Sequence, residues 1–341
     1  MDPRFEQMQT WLRNVAGIAD YEIAPASADA SFRRYFRVSA KSGKFDAYQA
    51  GDLIVMDAPP FREDVGPFIR IAKLMAGLGL NVPLVLEENQ EQGFLLLSDL
   101  GSVQYLSILE KDNADQLYGD ALSALLTLQA QGPRQSEDLP SYDFALLQRE
   151  LEIFREWYLQ KHLGLRLSGQ QENIIDESFN VLIETALEQP VVCVHRDYHS
   201  RNLMRTQQNN PGILDFQDAV IGPVTYDLVS LLKDCYITWP SDQVEAWALL
   251  HNHKLQEAGV IGQVDDQQFL RWFDFMGTQR HLKATGIFAR LDQRDGKPDY
   301  LNDIPRTLSY VVEVSGRYDE LHELNRFLIS IVPSLAMSSI N

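Results

Sequence analysis

The segment HRDYHSRNLM, residues 195–204, constrains the fold of this chain more than any other part of it. It follows the apolar run PVVCV, and a second apolar run that ends in carboxylates, ILDFQD, comes shortly afterwards. Two short strands joined through a polar loop would present Asp197, Asn202 and Asp215 at one place. Because clustered carboxylates repel each other unless a cation or a proton lies between them, the pattern predicts a charged site beside the core.

The spacing within this segment is typical of phosphoryl transfer. In the kinase loop H-R-D-x-x-x-x-N, the aspartate accepts a proton from the substrate hydroxyl and the asparagine binds metal. His195 to Asn202 has this spacing, so we predict Asp197 as the catalytic residue and His195 as a structural brace of the loop. Carboxylate and amide oxygens suit Mg²⁺, which makes Asn202 and Asp215 the predicted metal ligands. The alternative is a polar turn whose side chains only satisfy one another.

Hydrophobic periodicity predicts an α+β chain with two lobes. Strands come first and helices later, so we expect an N-terminal lobe over residues 1–100 with a small antiparallel sheet and a mainly helical lobe over residues 101–341. The lobes would meet at a hinge near residues 98–102. Expected strands lie within 21–39, at 52–56, within 82–101 and at 191–194 and 213–216, and expected helices cover 3–16, 64–78, most of 103–188 and most of 225–335.

The acidic composition limits the partners of the chain. Its 341 residues include 30 Lys and Arg against 48 Asp and Glu, a net charge of -18. Such a surface repels phosphate backbones and anionic lipid, so neither nucleic acid nor a membrane is an expected partner. No window approaches the roughly 20 apolar residues of a membrane span, and the N-terminal segment lacks the apolar core of a signal peptide. We therefore expect a cytoplasmic monomer that binds small molecules.

Beyond the loop, the chain resembles the aminoglycoside phosphotransferase and choline kinase superfamily of protein-kinase-like folds. Asp227, in GPVTYDLVSLL, matches the later aspartate that braces the catalytic loop in that family. The segments SADASFRRYFRV, VMDAPP, GFLLLSDLG and QRHLKATGIFARL look more narrowly like the anomeric sugar kinases of bacterial cell-wall recycling. Those enzymes phosphorylate the C1 hydroxyl of N-acetylmuramate and N-acetylglucosamine. The resemblance implies an ATP- and Mg²⁺-dependent kinase that acts on a free amino sugar.

The N-terminal segments depart from the general kinase pattern at the phosphate-binding positions. No G-x-G-x-x-G loop is present, and the corresponding hairpin contains Ser31, whose small side chain permits backbone N–H groups to approach phosphate. Met56 or its neighbour stands where the kinase lysine would be, and the helix 64–78 offers no obvious glutamate partner. Our hypothesis is that Arg33 or Arg34 supplies the missing positive charge. The alternative is a solvated edge strand that carries basic residues.

Adenine and sugar contacts follow from the same resemblance. The linker backbone hydrogen-bonds adenine in this superfamily, which makes Leu97 and Asp99 candidate nucleotide contacts. Arg280 and Lys283 lie three positions apart on one predicted helix, so they are neighbours that could hold the lactyl carboxylate of N-acetylmuramate. The alternative for each of these two residues is a solvated helix face.

Two other functions are compatible with the sequence. One is a phosphotransferase for another small hydroxyl compound, such as an aminoglycoside or choline, but the basic residues Arg280 and Lys283 do not suit a cationic substrate. The other is a pseudokinase that binds nucleotide without chemistry. The missing lysine favours a pseudokinase, whereas the intact set of Asp197, Asn202 and Asp215 argues against it.

Overall fold

An antiparallel sheet is formed by the first strands of the chain, and most of the remainder is helical. The computed structural model describes residues 2–18, 20–28, 32–40, 52–137 and 139–332. Its strands are β1 (Tyr21–Ala28), β2 (Arg34–Ala40), β3 (Asp52–Asp57), β4 (Val85–Asn89), β5 (Phe94–Ser98), β6 (Val191–Val194), β7 (Leu203–Met204), β8 (Gly212–Ile213) and β9 (Val220–Pro223).

The helices confirm the predicted α+β class. They are α1 (Pro3–Asn14), α2 (Gly66–Gly77), α3 (Ala114–Gln131), α4 (Phe144–Ile153), α5 (Gly169–Leu187), α6 (Tyr226–Leu232), α7 (Ser241–Glu257), α8 (Asp266–Asp295), α9 (Ile304–Ser315) and α10 (His322–Ile331). A π-helix over Phe154–His162 continues α4, and short 3-10 turns precede α9 and α10.

By their contacts, the residues group into two units. The first consists of 1–121 and 201–218, and the second of 122–200 and 219–341. These limits differ from a division at residue 100, because residues 101–121 and the β7–β8 hairpin group with the sheet. Isolated bridges within the first unit account for this, since Asn81 pairs with Gly212 and Gln104 with Met204.

The sheet of the first unit has the strand order β1-β2-β3-β5-β4, and each neighbouring pair is antiparallel. Side chains alternate between the two faces of a strand, so one face of this sheet can be apolar throughout. Helix α1 packs its buried side chains on that face, as its helical periodicity predicts. The resulting core contains Met8, Trp11, Leu12, Val38, Leu53, Val55, Phe94 and Leu96.

The turn between β4 and β5 depends on a glycine. Gly93 has φ +70°, and a Cβ added there would lie 1.8 Å from the carbonyl oxygen of Ala58. Ala58 N donates to Gly93 O at 2.9 Å, so the backbone of the turn lies directly against the end of β3. The sequence places the turn correctly because Gly93 ends the polar stretch between two apolar runs.

The strand predicted at residues 213–216 is wrong beyond its first residue. Strand β8 ends at Ile213, and Leu214 N then donates to Asn202 O at 2.9 Å. Asp215 adopts φ +62°, a left-handed conformation that is uncommon for residues other than glycine and incompatible with a strand. The apolar run therefore enters the interior as a turn that carries Asp215.

The second unit is built around α8, a helix of 30 residues with most of its length buried. Gly286 allows α8 to approach the junction of α4 with the π-helix, because a Cβ at this position would lie 2.6 Å from backbone atoms of Ile153 and Phe154. Strand β6 was predicted, and its antiparallel partner β9 was not. Together β6 and β9 carry the chain into and out of the segment that contains Asp197.

No helix within the described residues is both long enough and apolar enough to cross a bilayer.

Candidate active site

The predicted metal ligands lie beside each other in the first unit. Asn202 Nδ2 donates to Asp215 Oδ2 at 3.4 Å, and Gln217 Nε2 donates to Asp215 Oδ1 at 2.8 Å. The left-handed turn at Asp215 and the Leu214–Asn202 backbone hydrogen bond fix the two side chains relative to each other.

The donor chemistry of Asn202 and Asp215 fits Mg²⁺. The pair offers one carboxylate and one amide oxygen, and Mg²⁺ is bound in kinases through one or two such side chains while phosphates and water complete its octahedron. Among the described residues, no group of three or more His, Cys, Asp or Glu side chains is placed to hold a metal. A site that relies on substrate phosphates needs no such group.

Asp197 is surrounded by basic side chains of the second unit. Burial alone would raise the pKa of its carboxyl, but the positive charges of Lys283, His199, Arg280 and Arg196 together hold the pKa below its ordinary value. Asp197 is therefore ionised at neutral pH. An ionised carboxylate beside a cavity can orient a hydroxyl group and accept its proton.

A buried carboxylate holds the backbone just before Asp197. Asp227 Oδ2 accepts from His195 N at 2.6 Å, and Asp227 Oδ1 accepts from Arg196 N at 2.9 Å. Arg196 has φ +78°, so these hydrogen bonds hold a conformation that an arginine rarely adopts. The His195 ring also binds this backbone, because its Nδ1 accepts from Asp197 N at 3.2 Å.

Asp227 is expected to make stability depend on pH. Burial raises the pKa of its carboxyl to about 7, although the two backbone N–H groups act in the opposite direction. As pH rises from the ordinary carboxyl pKa to 7, the unfolded chain releases this proton before the folded chain does, so the contribution of Asp227 to stability falls. Asp227→Asn does not titrate. Relative to wild type, this variant should therefore gain about 2–3 kcal/mol of unfolding free energy between pH 5 and pH 8.

Urea denaturation at the two pH values measures this difference. Asp227→Ala provides the comparison, because it also does not titrate but removes both acceptors, so it should be less stable than Asp227→Asn by about 3 kcal/mol at either pH. An Asp227→Asn variant whose stability relative to wild type is the same at pH 5 and pH 8 would contradict the raised pKa.

Glu150 connects the loop to α8, and sequence reasoning missed it. Its carboxylate accepts from Arg196 Nη2, from Tyr142 OH and from Lys283 Nζ, the last at 2.8 Å. Gln279 Nε2 also contacts it at 3.4 Å. Nothing in the segment QRELEIF distinguishes this glutamate from an ordinary polar position on a helix, so only the tertiary structure identifies it.

Arg280 and Lys283, the predicted substrate residues, line one cavity with Asp197. The cavity has a volume of about 100 Å³, and His199, Tyr226 and Tyr236 are also on its wall. Whole drug-sized ligands occupy pockets of roughly 300–1,000 Å³, so this cavity would take in one end of a small substrate. Both basic residues are largely buried, and the alternative of a solvated helix face is wrong for them.

A larger groove of about 1260 Å³ lies elsewhere in the second unit, along α7, α8 and α9. None of the predicted site residues lines it. Its charged wall is structural, because Lys233 Nζ pairs with Asp274 Oδ1 at 2.7 Å and Tyr318 OH donates to Asp274 Oδ2 at 2.9 Å. Volume alone therefore does not locate the chemistry of this protein.

The two arginines predicted to contact the nucleotide, Arg33 and Arg34, differ in their partners. Arg34 Nε donates to Asp57 Oδ2 at 2.9 Å, and Arg34 also pairs with Asp2, so a carboxylate of β3 and one just before α1 hold it. Arg33 Nε lies 3.5 Å from Glu63 Oε2, and the charge of Asp215 acts on its guanidinium. Sequence reasoning missed Glu63 because it precedes α2 and lies outside the helix that would carry such a glutamate in a kinase.

Two of the remaining predicted nucleotide contacts, Leu97 and Asp99, are among the described residues. Leu97 is buried in strand β5, between β3 and β4, and Ser98 N donates to Leu84 O at 3.0 Å. The Asp99 carboxylate accepts from Arg37 and, at 2.8 Å, from Gly101 N, so its side chain stabilises the turn after β5. Ser31 lies outside the described residues. Met56, which we predicted at or next to the position of the kinase lysine, is buried in the sheet.

The known proteins to which this chain is similar in sequence are phosphotransferases. Residues 22–264 match the family described as APH, phosphotransferase enzyme family. The chain is 46% identical over 342 residues to N-acetylmuramate/N-acetylglucosamine kinase of Pseudomonas aeruginosa, with 97% of each chain covered. It is 39% identical to the protein of the same name from Neisseria meningitidis, with 96% of this chain and 95% of the relative covered.

Solved structures extend the likeness to the fold. Plasmodium vivax ethanolamine kinase superposes with a TM-score of 0.63 at 12% identity, over 91% of this chain and 88% of that one. The GDP complex of aminoglycoside 2'-phosphotransferase-IIIa gives 0.61 at 15% identity, over 89% and 98%. At these identities the likeness establishes the protein-kinase-like fold alone. With the family match over residues 22–264 and the near full-length relatives, the chain belongs to the phosphotransferase enzyme family.

Proposed function

We propose that this chain is an ATP-dependent kinase that phosphorylates the anomeric C1 hydroxyl of N-acetylmuramate and N-acetylglucosamine in the recycling of cell-wall sugars. The observation that carries the proposal is the setting of Asp197, an ionised carboxylate on the wall of a cavity that Arg280 and Lys283 also line. Relatives at 39–46% identity over nearly their whole length are named for this activity. The enzyme would act as a cytoplasmic monomer.

Asp197 would act on the sugar hydroxyl. A carboxylate with a lowered pKa is a weak base, so orienting the hydroxyl for in-line attack is the larger part of its role. An anomeric hydroxyl is more acidic than an ordinary alcohol, which suits a weak base. Asp227 and His195 would hold the backbone that positions Asp197.

Asn202 and Asp215 would hold Mg²⁺. When bound, the metal would neutralise the charge on the ATP phosphates. The left-handed turn at Asp215 directs the carboxylate and keeps it beside the amide of Asn202. Backbone groups of Leu97 and Asp99 remain our candidates for adenine contacts, and Ser31 our candidate for a phosphate contact.

Arg33 would replace the missing lysine, with Glu63 in the role of the glutamate that positions it. Burial alone would lower the pKa of Arg33, but Tyr35, Glu63 and Asp215 raise it above the ordinary value, so its charge is retained. Arg34 is less suited, because Asp57 and Asp2 already engage its guanidinium.

Arg33→Ala is therefore expected to raise the KM for ATP and lower kcat by a combined factor of about 10²–10³, as expected for a lost charge-assisted contact with phosphate. Arg34→Ala is the matched control and should change kcat/KM for ATP by less than about fivefold, with its main effect on thermal stability. Steady-state kinetics with varied ATP measures both. Equal losses in the two variants, or none in Arg33→Ala, would remove Arg33 from the nucleotide site.

The proposed substrate is tested by ADP release coupled to a reporter enzyme. The acceptors to compare are N-acetylmuramate, N-acetylglucosamine, glucose, kanamycin and choline. Turnover of the two acetylated amino sugars, with phosphate at C1 by NMR, is the expected result. Turnover of only kanamycin or choline would replace the proposed acceptor with another hydroxyl compound, and no turnover of any acceptor would favour a nucleotide-binding module.

A further inference from the structure

Two cationic side chains bind the buried carboxylate of Glu150, and the two lie in different surroundings. Arg196 and Lys283 both donate to Oε1 of Glu150. Arg196 belongs to the loop and is held by the backbone hydrogen bond to Asp227. Lys283 lies on the wall of the cavity, where its Nζ also lies 3.0 Å from the hydroxyl of Tyr226.

This arrangement makes Lys283 the exchangeable partner. The lysine side chain is flexible and presents a compact charge, whereas the planar guanidinium of an arginine is less adaptable. If Lys283 turns towards the cavity, Arg196 and Tyr142 still donate to Glu150, so no buried charge is left unpaired. The Glu150 side chain is only 4% exposed and does not itself line the cavity.

We propose that Glu150 and an anionic group of the substrate compete for Lys283, so that the Glu150–Lys283 pair sets the preference for an acidic sugar over a neutral one. The inference rests on the proposed function and extends it to specificity. A sugar acid draws Lys283 from Glu150 to its own carboxylate. A neutral sugar leaves Lys283 on Glu150, which neutralises the lysine and lets the cavity accept an uncharged substituent.

Energetic balance supports this role for Glu150. Burial alone would lower the pKa of Lys283, but Glu150, Tyr226 and Asp197 raise it above the ordinary value, so Tyr226 and Asp197 still favour the ammonium form when the charge of Glu150 is removed. Without Glu150, a charged Lys283 would strongly favour anionic substrates, and it would have no carboxylate partner when a neutral substrate is bound. Glu150 thus weakens the hold on acidic sugars and reduces the cost of binding neutral sugars.

Two substitutions act on the pair in opposite directions. Glu150→Gln keeps the hydrogen-bonding shape but removes the competing charge, so the ratio of kcat/KM for N-acetylmuramate to that for N-acetylglucosamine should rise about tenfold. Lys283→Met removes the ammonium and should lower the same ratio by about tenfold or more. Both variants are expected to lose some activity on both sugars, since Glu150 also positions Arg196 beside Asp197, and the ratio cancels that common loss.

Tyr142→Phe is the matched control. It removes an uncharged contact of the same carboxylate, so the ratio should stay within about twofold of wild type whatever happens to the absolute rates. Lys283→Met keeps the test decisive if Glu150→Gln does not fold. A ratio unchanged in the variants that fold overturns the inference while leaving the kinase activity in place. A wild-type enzyme that turns over neither sugar contradicts the proposed function instead.

Discussion

Asp197→Asn is expected to lower kcat for sugar phosphorylation by about 10²–10⁴-fold, the range that a positioned proton acceptor contributes. The KM for ATP should change little, because the nucleotide contacts assigned here come from other residues. Asparagine has the size of aspartate, but it carries no negative charge and cannot accept the hydroxyl proton. Of the changes considered, this one removes the most direct contact with the reacting group.

The surroundings of Asp197 add a second effect in the same direction. Lys283, Arg280 and Arg196 all act on its carboxylate, and removal of the negative charge leaves these cations to repel one another. Some loss of thermal stability is therefore expected together with the loss of activity. A kcat that is reduced at temperatures well below the unfolding transition separates the chemical effect from the structural one.

The measurement is single-turnover formation of sugar phosphate with saturating ATP, alongside thermal unfolding. Asp242→Asn, at an exposed position at the start of α7, is the control for loss of one carboxylate from the same unit. It should match wild type in both assays. An Asp197→Asn enzyme that forms product at more than about a tenth of the wild-type rate contradicts the role of Asp197 as proton acceptor.

Local patterns were sufficient to predict most elements of the fold. The spacing of Met8 and Leu12 marks α1 as amphipathic, and Gly93 marks the turn between β4 and β5. The errors occur where tertiary structure overrides such patterns. ILDF reads as a strand because three of its four residues are apolar, yet Asp215 turns the chain after Ile213. Strand β9 pairs with β6 over residues whose own sequence, VIGP, has no alternation to reveal it.

Some residues of the candidate site could likewise be predicted from the sequence, and others could not. Asp197, Asn202 and Asp215 could be named from the sequence because their spacing is imposed by chemistry. Glu63 and Glu150 could not be named, because each becomes distinctive only through a partner that is distant in sequence. Glu63 pairs with Arg33 across 30 positions, and Glu150 with Lys283 across 133. Residues that position others carry no local signature of that role.

The second large effect is expected from Asp215→Asn, which should lower kcat/KM for ATP by about 10³-fold at fixed Mg²⁺ through weaker neutralisation of the phosphates. Asparagine is a suitable replacement because it tolerates left-handed backbone better than most residues, so the turn at φ +62° should persist. The neighbouring amide of Asn202 and the Gln217 side chain can still hydrogen-bond the new side chain. What changes is the charge available to a divalent cation.

The diagnostic readout is the Mg²⁺ dependence of the rate rather than the rate alone. Removal of one carboxylate ligand should move the half-saturating Mg²⁺ concentration upwards by about tenfold or more, and excess Mg²⁺ should restore part of the activity. Asp112→Asn, an exposed change in the same unit, should leave the Mg²⁺ titration unchanged. An Asp215→Asn enzyme with a lower rate but the wild-type Mg²⁺ midpoint would contradict the role of Asp215 as a metal ligand, because the variant keeps the turn and loses only the charge. In that case the metal would have to be held by other ligands, and the negative charge of Asp215 would have to act on another group of the site.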